Sequence, residues 1–441
     1  MLRFGTDGVR GVALTEVTTA YVRSLGAAAA TVIQGSTWLV ARDTRESGPE
    51  LEAALVAGLS SHGQATQLCG VLPTPALAWL SALHGLPAAM ITASHNPYSD
   101  NGVKIFAAGG IKLSDAVEAR IEHQLAAEIS APLGAKGVVS HSTIVQGAVE
   151  RYVDHLVAMF APRALAGMRV VIDCANGAMS VAAPAALVAL GATVTVIHAE
   201  PNGVNINAAC GATYPASLSA AVLEAHADAG LAFDGDGDRV IAVDGRGRVV
   251  DGDRLLALAA LQMKAQGELT HNTVVVTVMS NLGFHRAMRT ADIHVASTDV
   301  GDRYVLEALE AGDFAVGGEQ SGHIIYRHSA TTGDGLLAGL RLLHNVQQTG
   351  TSLEEMAAAV MTSYPQVLVN VRVAERHPDV ASELAVEIAA AEALLGGDGR
   401  VLVRSSGTEP LVRVMVEAPT DAAAREVADS VAAVVQARFG N

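Results

Sequence analysis

Short apolar runs rich in β-branched residues alternate along this chain with longer Ala/Leu-rich amphipathic runs. The short runs predict strands at Trp38–Ala41, Ala88–Thr92, Arg169–Asp173, Thr193–Ile197, Leu231–Phe233 and Val240–Val243. Later ones fall at Thr273–Val278, His294–Ala296, Val367–Val373, Val401–Arg404 and Val412–Val416. The longer runs predict helices at Thr18–Ile33, Glu50–His62, Val117–Glu128, Asp253–Gln266, Leu353–Met361 and Asp421–Val435. Strand alternating with helix implies α/β layers with mixed or parallel sheets. Pro132–Ser142 reads as a linker, Asp251-Gly-Asp as a helix restart, and Ser363-Tyr-Pro-Gln as the lead into a strand-rich tail. The pattern therefore predicts units of similar size at 1–150, 151–250 and 251–365, and a shorter one at 366–441. No strong internal sequence repeat accompanies them.

At 441 residues the chain exceeds one ordinary core. No apolar run is long enough to span a bilayer, and Met1-Leu-Arg-Phe does not open a signal peptide, so a cytoplasmic protein without a membrane partner is expected. Cys69, Cys174 and Cys210 lack zinc spacing and read as reduced structural thiols. A net charge of -16 argues against a nucleic-acid partner but leaves room for an anionic small ligand bound by a local arginine cluster. Lysine is scarce, which makes Lys104 and Lys112 conspicuous.

Candidate chemistry begins at Phe233-Asp-Gly-Asp-Gly-Asp-Arg239, where Asp234, Asp236 and Asp238 occupy alternate positions after an apolar run. Three like charges so close require a counter-charge, and an oxygen-liganded divalent cation supplies it. The loop begins like an EF-hand but has Arg239 at the sixth position and Gly245 at the twelfth, so magnesium with open positions fits better than a calcium cage. A polar turn between strands is the alternative.

Ser94 lies in Ile91-Thr-Ala-Ser-His-Asn-Pro97, at the carboxyl end of a predicted strand. The G-x-S-x-G elbow of a serine hydrolase is absent, and adjacency disfavours direct activation of Ser94 by His95. A third reading has Ser94 carry a phosphoryl group that completes the coordination shell of the aspartate-bound magnesium; a turn or helix cap is the alternative.

Gly317-Gly-Glu-Gln-Ser-Gly-His323 offers Glu319, Ser321 and His323 on a glycine-hinged loop suited to sugar hydroxyls and proton transfer. Arg404-Ser-Ser-Gly-Thr-Glu-Pro410, with Arg413 beyond it, reads as an anion nest. Ordinary interstrand turns would also fit both segments. Arg10 falls in a glycine-flexible segment, Phe4-Gly-Thr-Asp-Gly-Val-Arg-Gly11; Ala41-Arg-Asp-Thr-Arg45 ends a strand with charges, and Val300-Gly-Asp-Arg303 is a polar strand–helix junction. No nucleotide-binding phosphate loop occurs.

These segments, in this order and from end to end, resemble the α-D-phosphohexomutase superfamily. The F-G-T-D-G-V-R-G-V opening, the G-E-Q-S-G-H form and the R-x-S-G-T-E-P ending are most similar to its bacterial branch acting on glucosamine phosphates. The resemblance implies three similar α/β domains plus a smaller C-terminal α+β domain around a central active-site cleft. It implies an isomerase that interconverts glucosamine 6-phosphate and glucosamine 1-phosphate, on the route to UDP-N-acetylglucosamine and the cell wall.

By the same resemblance, Ser94 is a phosphoserine, and Asp234, Asp236 and Asp238 bind one Mg2+ per active site together with it. Arg10, Lys104, Arg239 and His323 surround the transferring group, and Lys104 and His323 are candidates for proton transfer. Glu319 and Ser321 hold sugar hydroxyls, while Arg404, Ser406, Gly407, Thr408 and Arg413 grip the distal phosphate. A hexosamine 1,6-bisphosphate serves as intermediate and activator. The partner is a small phosphosugar; a homodimer is compatible with the resemblance, although the sequence itself does not give the oligomeric state.

Two positions depart from the pattern. Asp299 stands where relatives carry a basic or small residue, so it could weaken phosphate binding or contact a substrate amine. Ser405 stands where proline is usual, which removes rigidity from the nest while keeping its N–H donors. Competing expectations are a glucose or mannose phosphomutase, a non-catalytic phosphosugar-binding protein, and a metal-dependent sugar phosphatase.

Overall fold

The computed structural model describes residues 2–130, 141–406 and 410–440. Most of the linker expected at Pro132–Ser142, and three residues of the expected anion nest, Gly407, Thr408 and Glu409, lie outside the described residues. The chain divides into two compact units, Met1–Met279 with Ile293–Ala358, and Ser280–Asp292 with Ala359–Asn441.

The first unit carries three sheets. In the largest, the strands run in the order Val9–Val12, Asp100–Ala107, Ala88–Ile91, Thr37–Arg42, Ala65–Val71 and Ser142–Ile144, with Ile111–Lys112 paired to Asp100–Ala107. The second has the order Val249–Val250, Val240–Asp244, Ala229–Phe233, Arg169–Asp173, Thr193–Ile197. The third has His294–Thr298, Thr273–Thr277, Val316–Gly318, Ile324–Tyr326.

A pattern repeats across all three sheets. A buried strand pairs in parallel with an inner neighbour, then turns back into an antiparallel partner. Ala88–Ile91 is parallel to Thr37–Arg42 and antiparallel to Asp100–Ala107. Ala229–Phe233 is parallel to Arg169–Asp173 and antiparallel to Val240–Asp244. Val316–Gly318 is parallel to Thr273–Thr277 and antiparallel to Ile324–Tyr326. Each reversal sits at the carboxyl end of its parallel strand, the edge where ligands collect in α/β sheets. The three reversals hold the Ser94 turn, the three-aspartate loop and the Glu319–His323 segment. This structural repeat has no counterpart strong enough to read in sequence.

The core follows from the strand composition. Ala88, Ala89, Met90 and Ile91 are all buried, as are the residues of Ala229–Phe233, and helices pack against both strands. Helices start on side-chain caps: Thr18 accepts from Tyr21 N, Asp251 from Arg254 N and Asp334 from Leu337 N. Among the described residues no helix is long and apolar enough to cross a membrane.

The second unit is a three-stranded antiparallel sheet, in the order Gln366–Arg372, Leu411–Glu417, Arg400–Ser405, packed against the helix Asp421–Phe439. Val412, Val414 and Val416 alternate into its apolar core, and Val427, Val431 and Val435 supply the helix face.

Candidate active site

Ser94 is buried and takes the left-handed backbone conformation, with φ at 52°. A serine in that region is strained unless its surroundings hold it. Here they do. Its N–H donates to Thr92 Oγ1 at 2.9 Å, and Thr92 donates in turn to Asp43 at 2.7 Å. Its carbonyl accepts from Asn207 Nδ2 at 2.9 Å and from Arg45 at 3.2 Å. Arg45 pairs with Asp43 and also donates to the carbonyls of Asn96 at 2.6 Å and Asp100 at 2.7 Å. The buried Arg45 therefore clamps both ends of the serine turn.

The clamp presents the Ser94 hydroxyl to the second sheet, where Ser94 Oγ donates to Asp234 Oδ2 at 2.6 Å. Two motifs separated by 140 positions thus meet in one site. The left-handed backbone also brings the His95 ring within reach, although the serine proton is directed to Asp234. Adjacent side chains diverge in extended chain, but here His95 Nδ1 lies 3.3 Å from Ser94 Oγ. Burial, with Arg239 and Arg10 nearby, pushes the His95 pKa down to about 4, so its ring is neutral at neutral pH.

Asp234, Asp236 and Asp238 are all buried, and one carboxylate oxygen from each falls within 4.8 Å of the others. Gly237, at φ 75°, makes the wrap possible. The backbone N–H of Arg239 donates to Asp234 Oδ1 at 3.1 Å, and Thr74 donates from its hydroxyl to Asp236 Oδ2 at 2.6 Å. Burial and the neighbouring Asp238 and Asp236 push the Asp234 carboxyl well above the usual range. Two buried oxygens, Asp236 Oδ1 and Asp238 Oδ1, have no hydrogen-bond partner. Orphaned carboxylate oxygens converging in a dry loop fit a hard divalent cation, which makes this a candidate metal centre.

Lys104 supplies counter-charge to the loop. Its Nζ lies 2.7 Å from Asp238, 2.8 Å from Asp236 and 2.8 Å from Asp7. Burial alone would lower its pKa, but Asp236, Asp238 and Asp7 hold it well above the ordinary value. A ring of ionisable groups closes around this lysine. From Asp7, 2.6 Å from Lys112, the ring runs to Asp302, which pairs with Lys112. Asp302 lies 3.4 Å from His323 Nε2, and His323 Nδ1 is 3.6 Å from Asp238. The Gly333 N–H donates to His323 Nε2 at 3.0 Å. Arg239 Nε stands 3.8 Å from Asp238, and Ser321 Oγ donates to Glu319 at 3.4 Å.

Arg10 does not sit in a flexible segment. It belongs to the strand Val9–Val12, whose pairing with Asp100–Ala107 fixes its backbone, and its side chain pairs with Asp7. Gly317 and Gly318 likewise are strand residues rather than loop; the turn is confined to the residues after them. Sequence reasoning missed the supporting residues Asp7, Asp43, Arg45, Thr74, Asn207 and Asp302. Asp7, Asp43, Arg45 and Asp302 lie inside segments already notable for charge; Thr74 and Asn207 carry no such signal.

In the second unit, Arg404 and Arg413 are direct cross-strand partners, so their side chains leave the same face of the sheet. Ser406 is buried, and its N–H donates to the Leu411 carbonyl at 2.8 Å. Ser405 donates from Oγ to the carbonyl of His377, so a hydrogen bond ties down the strand end that a proline would stiffen. Asp299 is exposed, and its carbonyl accepts from Thr298 Oγ1 at 2.9 Å.

Comparison with known proteins agrees with this architecture. The chain matches the phosphoglucomutase/phosphomannomutase alpha/beta/alpha domain I over residues 1–131, domain II over 150–247, domain III over 251–364 and the C-terminal domain over 368–434. It is 53% identical over 442 residues to the phosphoglucosamine mutase of Rhodococcus jostii, covering 98% of each chain. It is 53% identical over 449 residues to that of Frankia casuarinae, again covering 98% of each. A solved structure of a putative phosphomannomutase from Thermus thermophilus is similar, with TM-score 0.81, 26% identity and 99% of each chain covered. The N-acetylphosphoglucosamine mutase of Aspergillus fumigatus, solved with GlcNAc-6P and magnesium, shares the fold at TM-score 0.73 and 20% identity, over 99% of this chain and 96% of that one. The chain belongs to the phosphoglucosamine mutase family, a branch of the phosphohexomutases.

Proposed function

We propose that this chain is an isomerase that interconverts glucosamine 6-phosphate and glucosamine 1-phosphate by way of phosphorylated Ser94 and a glucosamine 1,6-bisphosphate. The observation that carries the reading is the 2.6 Å hydrogen bond from Ser94 to Asp234. It sets a serine with no hydrolase elbow against a three-carboxylate loop. Asp234, Asp236 and Asp238, with phosphorylated Ser94, would hold one Mg2+, which would supply positive charge against the phosphoryl oxygens.

The chain's own groups do the rest. Arg10, Lys104, Arg239 and His323 surround the phosphoryl group. A sugar hydroxyl attacks phosphorus, a new O–P bond forms, and the bond to Ser94 Oγ breaks. The hydroxyl proton passes to a site base, with His323 as the candidate, and the leaving Ser94 Oγ takes a proton from a site acid, with the Lys104 ammonium as the candidate. Ser94 Oγ ends as a hydroxyl that donates to Asp234. After the bisphosphate turns over, Ser94 takes back the other phosphoryl group. Glu319 and Ser321 hold sugar hydroxyls, and Arg404, Ser406, Gly407, Thr408 and Arg413 hold the phosphate that is not transferred.

The reading carries four functional domains, 1–150, 151–250, 251–365 and 366–441, each contributing one segment to catalysis. It also carries a cytoplasmic enzyme, homodimer or monomer, that supplies a hexosamine phosphate for UDP-N-acetylglucosamine and peptidoglycan precursors and is activated by hexosamine 1,6-bisphosphate. A coupled assay with magnesium tests it, comparing glucosamine, glucose and mannose 6-phosphates, each primed with its bisphosphate. Turnover led by glucosamine 6-phosphate supports the assignment. Preference for glucose or mannose phosphate would overturn the sugar assignment but keep the chemistry. No turnover by folded, phosphorylated protein would leave a phosphosugar-binding protein.

A further inference from the structure

We propose that Asp173, His198 and Cys210 form a second cation site, separate from the three-aspartate loop, for a borderline divalent ion such as Zn2+. One donor atom from each residue falls within 4.8 Å of the other two. The topology assembles them. Asp173 ends the strand Arg169–Asp173, its parallel partner Thr193–Ile197 ends beside it, and His198 follows directly in the left-handed conformation, φ 49°. Cys210 arrives on a loop whose next residue, Gly211, donates its N–H to Asp173 Oδ2 at 2.9 Å.

His198 Nδ1 lies 3.1 Å from Asp173 Oδ2, yet this buried nitrogen makes no hydrogen bond. The two groups are close without being aligned for a hydrogen bond. Two ligands of one ion stand in that relation: N and O donors about 2.1 Å from a tetrahedral Zn2+ lie about 3.4 Å apart. The Asp173 carboxylate is already fixed, because Oδ1 accepts from Ala175 N at 2.9 Å and Oδ2 accepts a 3.4 Å contact from Ser217. Thiolate plus carboxylate cancels a divalent charge. A sulfur–imidazole–carboxylate set also selects against Mg2+ and Ca2+, which prefer oxygen alone. His198 is half-exposed, which gives an entry path and room for water in the fourth position. The site would brace the catalytic loop, since Ala212 N donates to the Phe233 carbonyl at 2.8 Å, immediately before Asp234.

Co2+ titration of the metal-stripped full-length chain tests this. A cobalt–thiolate charge-transfer band in the near ultraviolet can come only from a cysteine ligand, never from the all-oxygen aspartate loop. The expected result is a band that saturates at about one equivalent and is displaced by Zn2+. His198→Asn should weaken cobalt binding by at least about tenfold. Cys210→Ser should abolish the band. No band in folded wild-type protein, a band unaltered in His198→Asn, or one that persists in Cys210→Ser would overturn the proposal. If Cys210→Ser does not fold, His198→Asn decides alone.

Discussion

The Lys104 ammonium donates to Asp238 Oδ2 at 2.7 Å with both side chains buried. Asp236 and Asp7 share the same cation. Removing it takes away a counter-charge that three carboxylates share, a loss of about 3–5 kcal/mol for a broken buried pair. Magnesium bound at the loop, as proposed, would supply replacement charge. Lys104→Met should therefore melt well below wild type in chelator, and the gap should narrow in saturating Mg2+. Differential scanning calorimetry in both conditions checks this; an equal gap in the two would contradict it.

Asp334 caps the helix Gly335–Thr349 and accepts from the Tyr152 hydroxyl at 2.8 Å. Burial pushes its pKa up to about 6. Because the folded state holds its proton more tightly than the unfolded chain, stability contributed here is lost as pH rises from about 4 to about 6. The rise from about 4 to about 6 corresponds to about 3 kcal/mol. Asp334→Asn keeps the cap and removes the titration. In urea unfolding, the variant should gain about that much on wild type between pH 4 and pH 7.

Gly322 has φ at 88°, and a Cβ there would meet the Val240 carbonyl at 2.1 Å. Gly322→Ala strains the turn twice, by conformation and by contact with backbone that cannot give way. The expected cost exceeds about 1 kcal/mol, and kcat should fall because Glu319, Ser321 and His323 are carried on the same turn. Equilibrium unfolding and steady-state kinetics on one preparation read both effects.

Arg404 and Arg413 leave one face of their sheet. If they grip the phosphate that is not transferred, losing one charged hydrogen bond costs about 1.5–3 kcal/mol. Arg413→Ala should raise KM for the 6-phosphate about tenfold or more, while labelling of Ser94 by bisphosphate still proceeds. An unchanged KM would remove Arg413 from the substrate site.

Much of this architecture is legible in sequence, for physical reasons. Buried inner strands such as Ala229–Phe233 read as apolar runs, and alternate aspartates separated by glycine announce a charge problem that a turn alone does not solve. Ser94 could be placed at a strand end, but not its conformation, which depends on Arg45 and Asn207 from distant segments. That conformation is what brings the His95 ring within reach of the serine. The glycines flanking Arg10 suggest a flexible segment, but strand pairing with Asn101 and Gly102 overrides their freedom. The ring through Asp7, Lys112 and Asp302 joins three sequence segments, and nothing local marks those carboxylates as paired. The repeated strand reversal was invisible because each sheet keeps the geometry with different residues.

The central claim is that Ser94 passes a phosphoryl group to and from the sugar. Its most direct test is to incubate the enzyme with Mg2+ and phosphorus-labelled glucosamine 1,6-bisphosphate, map the labelled peptide, and then chase with unlabelled glucosamine 6-phosphate. The label should appear on the peptide carrying Ser94, leave it into sugar bisphosphate during the chase, and never appear on Ser94→Ala, which should not turn over. Label on another residue, or turnover by Ser94→Ala near the wild-type rate, would contradict the account.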